Sequence, residues 1–157
     1  LRDMITDTGV DALSLGATKN GALAAEAVVM LNPSLAAAVP FVRKSAMQLS
    51  SKMRFTSAQL VAMFGTDLYL RNASHANTMA TRLYHAVSSI SGVQAGLPPQ
   101  ANAMFPVLPI EVTRRLQESY RFYVWNQFTG QVRWMCSWDT TTQDIDDFAA
   151  AVATEMA

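Results

Sequence analysis

A lysine, an arginine and a small basic cluster are the residues of this chain whose type and setting could do chemistry. Lys19 lies in the polar stretch Gly16-Ala17-Thr18-Lys19-Asn20-Gly21, directly after an apolar-alternating run at residues 10–16. Active-site loops of α/β sheets lie at strand ends. A lysine amine in a screened site there loses its proton more readily and can form a Schiff base with a carbonyl cofactor; the competing reading is a solvated loop lysine. Arg133 lies in Gln131-Val132-Arg133-Trp134-Met135-Cys136-Ser137. Strand alternation puts Val132, Trp134 and Cys136 on one face and Arg133 and Met135 on the other. An arginine in so apolar a strand is costly unless its guanidinium meets an anion, and its fork suits a carboxylate held by two hydrogen bonds. The competing reading is a strand-edge arginine paired with a surface acid. Arg43, Lys44, Lys52 and Arg54 form a basic cluster that is either a solvated helix face or a phosphate site. His75 and His85 fall within one long helical stretch, where packing or surface roles are the commoner ones. No metal-ligand spacing, Walker-type loop or dinucleotide glycine motif is present.

The elements that must position these groups follow from periodicity. Residues 10–16 form a short strand. Residues 27–31, Ala-Val-Val-Met-Leu, are a continuous apolar run suited to a strand covered on both faces. Asn32 caps a helix with Pro33 in its first turn, and Pro40 breaks or kinks that helix. Residues 53–64 form a helix stopped near Gly65. Thr66 or Asp67 caps the next, which runs to about Ile90 with Ala76, Met79, Ala80, Leu83, Val87 and Ile90 as its apolar stripe. The last third then alternates with period two at 93–96, 103–108, 121–125 and 131–137, with a helix at 111–120. Thr129-Gly130 pairs the last two strands as a hairpin. Thr140-Thr141-Thr142-Gln143 has the capping-box pattern, and a final helix carries Ile145, Phe148, Ala149, Val152 and Met156 on one face. The order suggests the end of an α/β domain followed by a smaller α+β domain with an antiparallel sheet.

Composition narrows the possibilities. The 157 residues carry 12 basic and 12 acidic side chains, a net charge of zero, and are 50% apolar. Such a chain buries a substantial core, and its charge gives no field-driven reason to bind nucleic acid or an anionic membrane. No apolar run reaches the length of a membrane span. The single cysteine, Cys136, excludes an internal disulfide framework and a cysteine-cluster zinc site, and points to a reducing, cytoplasmic setting.

These features converge on one family. Asp11-Ala12-Leu13-Ser14-Leu15-Gly16-Ala17-Thr18-Lys19-Asn20-Gly21 resembles the lysine loop of the low-specificity L-threonine aldolases, pyridoxal-phosphate enzymes of fold type I in the β-eliminating lyase group. The likeness continues through Lys52-Met53-Arg54-Phe55, His75-Ala76-Asn77, Phe122-Tyr123 and Arg133-Trp134-Met135-Cys136-Ser137-Trp138-Asp139-Thr140, in order along nearly the whole chain. It implies an α/β fold: the end of the large-domain mixed sheet with the lysine loop at 1–55, interdomain helices at 56–91, and a small C-terminal α+β domain at 92–157. It also implies that the chain corresponds to roughly the C-terminal half of such an enzyme.

The resemblance further implies roles. Lys19 would form the Schiff base with pyridoxal 5'-phosphate, and Arg133 would bind the substrate carboxylate. Arg54 and Lys44 would lie near the cofactor phosphate, reaching it from a neighbouring subunit of a homodimer or homotetramer whose site lies at the interface. Thr18 would hydrogen-bond the phosphate or the lysine loop. The implied reaction is cleavage of L-threonine, L-allo-threonine and related β-hydroxy-α-amino acids to glycine and an aldehyde, with neither nucleic acid, membrane nor metal involved. The family's carboxylate to the pyridine nitrogen, its ring-stacking histidine and its glycine-rich phosphate loop would lie outside these residues, so the 157 residues alone are not expected to be active. Another fold type I lyase or an aminotransferase would share the lysine and arginine. A non-catalytic interaction domain is the remaining alternative, against which the joint presence of Lys19 and Arg133 argues.

Overall fold

A computed structural model describes residues 2–157. The chain divides into two compact units, the first ending at Tyr69 and the second spanning Leu70–Ala157.

In the first unit, β1 (Ala12–Gly16) and β2 (Glu26–Met30) pair antiparallel, with Ser14 opposite Val28. A short 3-10 turn, Thr18–Asn20, lies between them. It closes at Gly21, whose φ of +113° is a backbone region that L side chains rarely adopt. Asn32 caps α1 (Pro33–Ala36) by accepting from the Ser34 N–H. Pro40 sits in the first turn of α2 (Val39–Ser45), so the break comes just ahead of it. Helix α3 (Met53–Phe64) stops at Gly65. The buried core of this unit is small: Ala17, Ala25 and Met63, with Leu60, Phe64 and Tyr69 packed around it. The apolar run at 27–31 is not covered on both faces within this chain. Strand β2 has β1 as its one strand neighbour among the described residues, and Val28 is 68% exposed.

The second unit is built on α4 (Leu68–Ser88), which begins just before the division. Thr66 accepts from the Leu68 N–H at its start. Its buried stripe is Ala76, Met79, Ala80, Leu83 and Val87, the periodicity expected of a helix with one apolar face. Three strands form an antiparallel sheet in the order β3 (Ala103–Met104), β5 (Gln131–Met135), β4 (Tyr123–Asn126). Helix α5 (Ile110–Ser119) and helix α6 (Thr142–Met156) complete the unit. Met104, Leu108, Val112, Leu116, Val132, Trp134, Ile145 and Val152 join Met79, Ala80, Leu83 and Val87 of α4 in one core.

The run at 93–96 and most of 103–108 pair less than alternation predicts: Gln94 and Val107 form an isolated bridge, and only Ala103 and Met104 are a strand. Prolines explain this. Pro98, Pro99, Pro106 and Pro109 have no N–H to give a ladder, and Pro106 contributes only its carbonyl, to the Val132 N–H at 2.9 Å. The capping box is displaced by one residue. Thr140 Oγ1 accepts from the Ser137 N–H at 2.8 Å, which leaves Thr141 to cap α6 reciprocally with Asp144. Among the described residues no helix is long and apolar enough to cross a membrane, and no group of His, Cys, Asp or Glu could hold a metal ion.

Candidate functional site

The groups singled out by sequence fall in both units. Lys19 lies in the first, in the turn directly after β1, as its loop position predicts. Its neighbours are pinned while its own side chain is exposed. Ala17 is fully buried and its N–H donates to the Ala25 carbonyl at 2.9 Å. Thr18 Oγ1 accepts from the Ala25 N–H at 3.1 Å, so this hydroxyl ties the loop to the start of β2. Asn20 Nδ2 donates to the Tyr69 carbonyl at 3.0 Å. A hydrogen-bonded backbone thus presents an exposed lysine. Lys44 lies in the last turn of α2 and Arg54 in the first turn of α3, both exposed. The Arg54 guanidinium rests over the Phe55 ring, 5.1 Å from its centre. Arg43, beside Lys44, donates from Nε to the Gln48 carbonyl at 3.1 Å.

In the second unit, strand alternation in β5 is as expected. Val132, Trp134 and Cys136 are buried, while Arg133 and Met135 face outward. Arg133 stands opposite Tyr123 on β4. Continuing that pairing two residues back puts Arg121 opposite Met135. A cleft of about 330 Å³ opens on this face, lined by Arg121, Phe122, Tyr123, Arg133 and Met135. The pairing shifts between Val124 and Asn126. At this irregularity the Trp125 ring centre lies 5.7 Å from the Arg133 guanidinium carbon. Among the described residues the guanidinium has no carboxylate partner. Nη2 points at the Met135 sulfur, 3.0 Å away, and Nε is buried with no hydrogen-bond partner among the described residues. Leaving a charged donor buried and unsatisfied is costly.

The remaining candidates have structural duties. His75 Nε2 pairs with the Thr140 carbonyl at 2.7 Å and so joins α4 to the turn before α6. His85 stacks edge-on against Tyr84. Burial pushes the Cys136 thiol from 9.0 up to about 11, which keeps it protonated and unreactive. Sequence reasoning passed over Arg121 and Tyr123 as functional residues. Their period-two spacing, matched to Arg133 and Met135 across the Thr129-Gly130 turn, is the signal that places all four on one face. Gly130 holds that turn at φ +73°, and a Cβ there would lie 2.7 Å from the Leu108 carbonyl oxygen.

The antiparallel pair bearing the lysine turn, the long helix, and the α+β unit together define a class: the C-terminal part of the fold type I architecture of pyridoxal-phosphate enzymes. The structure of a threonine aldolase from Leishmania major has this fold, with a TM-score of 0.83 at 24% identity, over 94% of this chain and 44% of that one. By sequence the chain is similar to two low-specificity L-threonine aldolases. It is 37% identical over 152 residues to the enzyme of Pseudomonas sp. strain NCIMB 10558 and 36% identical to that of Pseudomonas aeruginosa. Each match takes in 94% of this chain and 43% of the relative, so the chain spans less than half the length of these proteins. No protein-family model matches it.

Proposed function

We propose that this chain supplies the lysine-bearing portion of a pyridoxal-phosphate-dependent aldehyde-lyase. The enzyme cleaves L-threonine, L-allo-threonine and related β-hydroxy-α-amino acids to glycine and an aldehyde. The observation that carries this reading is the pinned turn around Lys19, which holds its neighbours by backbone and side-chain hydrogen bonds and leaves its amine exposed. The orphaned Nε of Arg133 supports it from the substrate side.

The residues present fit the cofactor by donor chemistry. One amine is available for an aldehyde, and two exposed cations, Lys44 and Arg54, suit a phosphate, reaching it from the neighbouring copy in a homodimer or homotetramer. Pyridoxal phosphate, when bound, supplies the electron sink for the carbanion left by carbon–carbon cleavage. The chain's own part is placement. Lys19 would hold the cofactor through its exposed amine. Thr18 and Asn20 tie the loop that carries that amine to Ala25 and Tyr69. Arg133 grips the substrate carboxylate with two parallel hydrogen bonds and thereby orients the Cα–Cβ bond for cleavage. On this reading the 157 residues alone are inactive.

The test uses the full-length product of the gene. Borohydride reduction should fix the cofactor covalently on Lys19, located by peptide mapping. Threonine should give glycine and acetaldehyde. Label on another lysine removes Lys19 from the role, and a transamination product in place of acetaldehyde replaces the aldolase with another fold type I enzyme.

A further inference from the structure

The cleft that receives Arg133 contains a second arginine. Arg121 and Arg133 lie on the same outer face of the β4–β5 hairpin, separated by two residue positions, roughly 7 Å along the strand. The cleft has no carboxylate in its lining. Among the described residues Arg133 has no acidic partner and no ion pair or hydrogen bond engages Arg121, whereas Arg82, Arg114 and Arg115 of the same unit are ion-paired. Two unpaired guanidiniums in one pocket repel each other and leave an excess of donors over acceptors. Only one is needed for an amino acid's α-carboxylate.

We infer that the cleft recognises two anionic groups on one small molecule, Arg133 taking the first carboxylate and Arg121 the second. Within the proposed function, on which this substrate assignment rests, the preferred substrate is a β-hydroxy-α-amino diacid, whose side chain itself ends in a carboxylate. For β-hydroxyaspartate the Cα–Cβ bond breaks, the hydroxyl proton leaves as the Cβ carbonyl forms, and a proton returns to Cα. The products are glycine and glyoxylate, with no oxidant or reductant required. Tyr123, between the two arginines on the same face, adds a hydroxyl that can donate to either carboxylate.

Binding to the chain itself tests the site without turnover. Succinate and butyrate have the same carbon count and differ in one carboxylate. Each is titrated while the Nε–H resonances of Arg121 and Arg133 and the Trp125 indole resonance are followed. Succinate should bind at least about fivefold tighter, the scale of one added exposed ionic contact, and the difference should shrink with salt. Arg121→Gln should bring succinate down to the level of butyrate, and Arg121→Lys should restore part of the gap. Equal affinities in the wild-type chain overturn the inference. So does a gap that survives in Arg121→Gln. Parallel weakening of both ligands also overturns it, since Arg121 would then share the first carboxylate. In the full-length protein, Arg121→Gln should lower kcat/KM for β-hydroxyaspartate at least about fivefold more than for threonine. A wild-type protein that cleaves neither compound sinks the aldolase reading alone, because the succinate preference still decides the two-arginine site.

Discussion

Arg133 is the residue at which fork geometry and charge can be separated. On the proposed role of Arg133 as the carboxylate grip, Arg133→Lys keeps the cation and loses the two-point contact, so substrate should bind weakly and sit askew. The expected cost in the full-length enzyme is about 2–5 kcal/mol, roughly 30- to several-thousand-fold in kcat/KM for threonine. Cofactor absorbance should stay as in wild type, because Lys19, Lys44 and Arg54 are untouched. Cleavage within a factor of about three of wild type would make Arg133 a structural strand residue. Cys136 gives a second expectation. With its folded pKa raised by burial from 9.0 to about 11, the thiol should resist a thiol-specific disulfide reagent at about pH 8 until urea unfolds the chain. The linkage sign follows: the unfolded state releases the proton first, so stability falls as pH rises from 9.0 toward about 11. Rapid labelling of the native chain would refute both statements. What the sequence revealed at this scale was each group's own surroundings. The loop around Lys19 and the outward face of Arg133 follow from local pattern, and both are observed. The company Arg133 keeps does not, because Arg121 and Tyr123 become its neighbours only once the hairpin register is fixed.

At the scale of elements, local signals were legible wherever nothing distant competed with them. Helix α3 has the bounds its pattern gives, between Met53 and the stop at Gly65, and the α4 stripe is buried residue for residue from Ala76 to Val87. The short pieces before β4 were harder, because whether residues 93–96 and 103–108 form ladders depends on partners and on the prolines that withhold donors. The cap of α6 shows how one hydrogen bond moves a boundary. Ser137 claims Thr140, and Thr141 becomes the cap. The Thr141 hydroxyl and then the Thr141 backbone N–H hold the Asp144 carboxyl below the ordinary carboxylate value. A depressed carboxylate adds stability above its unfolded pKa and loses it as pH falls through the folded one. Thr141→Ala removes the hydroxyl that accepts from the Asp144 N–H, at a cost of about 1 kcal/mol, and the hydroxyl contact to the Asp144 carboxylate, so its cost should be larger near neutral pH than once Asp144 is protonated in acid. Urea unfolding of both forms at the two pH values measures this. A cost that does not change with pH would mean that the Thr141 hydroxyl contributes nothing through the Asp144 carboxylate.

For the molecule as a whole, the two units differ in how much they bury. The second encloses thirteen buried core residues, running from Met79 on α4 to Val152 on α6. Among the described residues the first encloses three, two of them alanines. Apolar burial stabilises by roughly 25 cal/mol per Å², so the second unit carries most of the chain's stability. The first also displays Leu23, Val28, Phe41, Phe55 and Val61 to solvent, more apolar surface than a small unit leaves open without attracting a neighbour. Two consequences follow for the isolated chain. Amide exchange should be fast in β1, β2 and α1–α3 and slow in α4–α6, as separate stability classes rather than one cooperative unit. Sedimentation should show association that grows with concentration, and Val28→Lys, which places a charge on the open face of β2, should weaken it. The second-unit amides should remain protected in that variant, since Val28 belongs to the other unit. A monomer that melts in one sharp transition, with β2 amides as protected as those of α4, would show that the first unit is stable with its apolar strand open to water, contrary to the burial difference between the two cores.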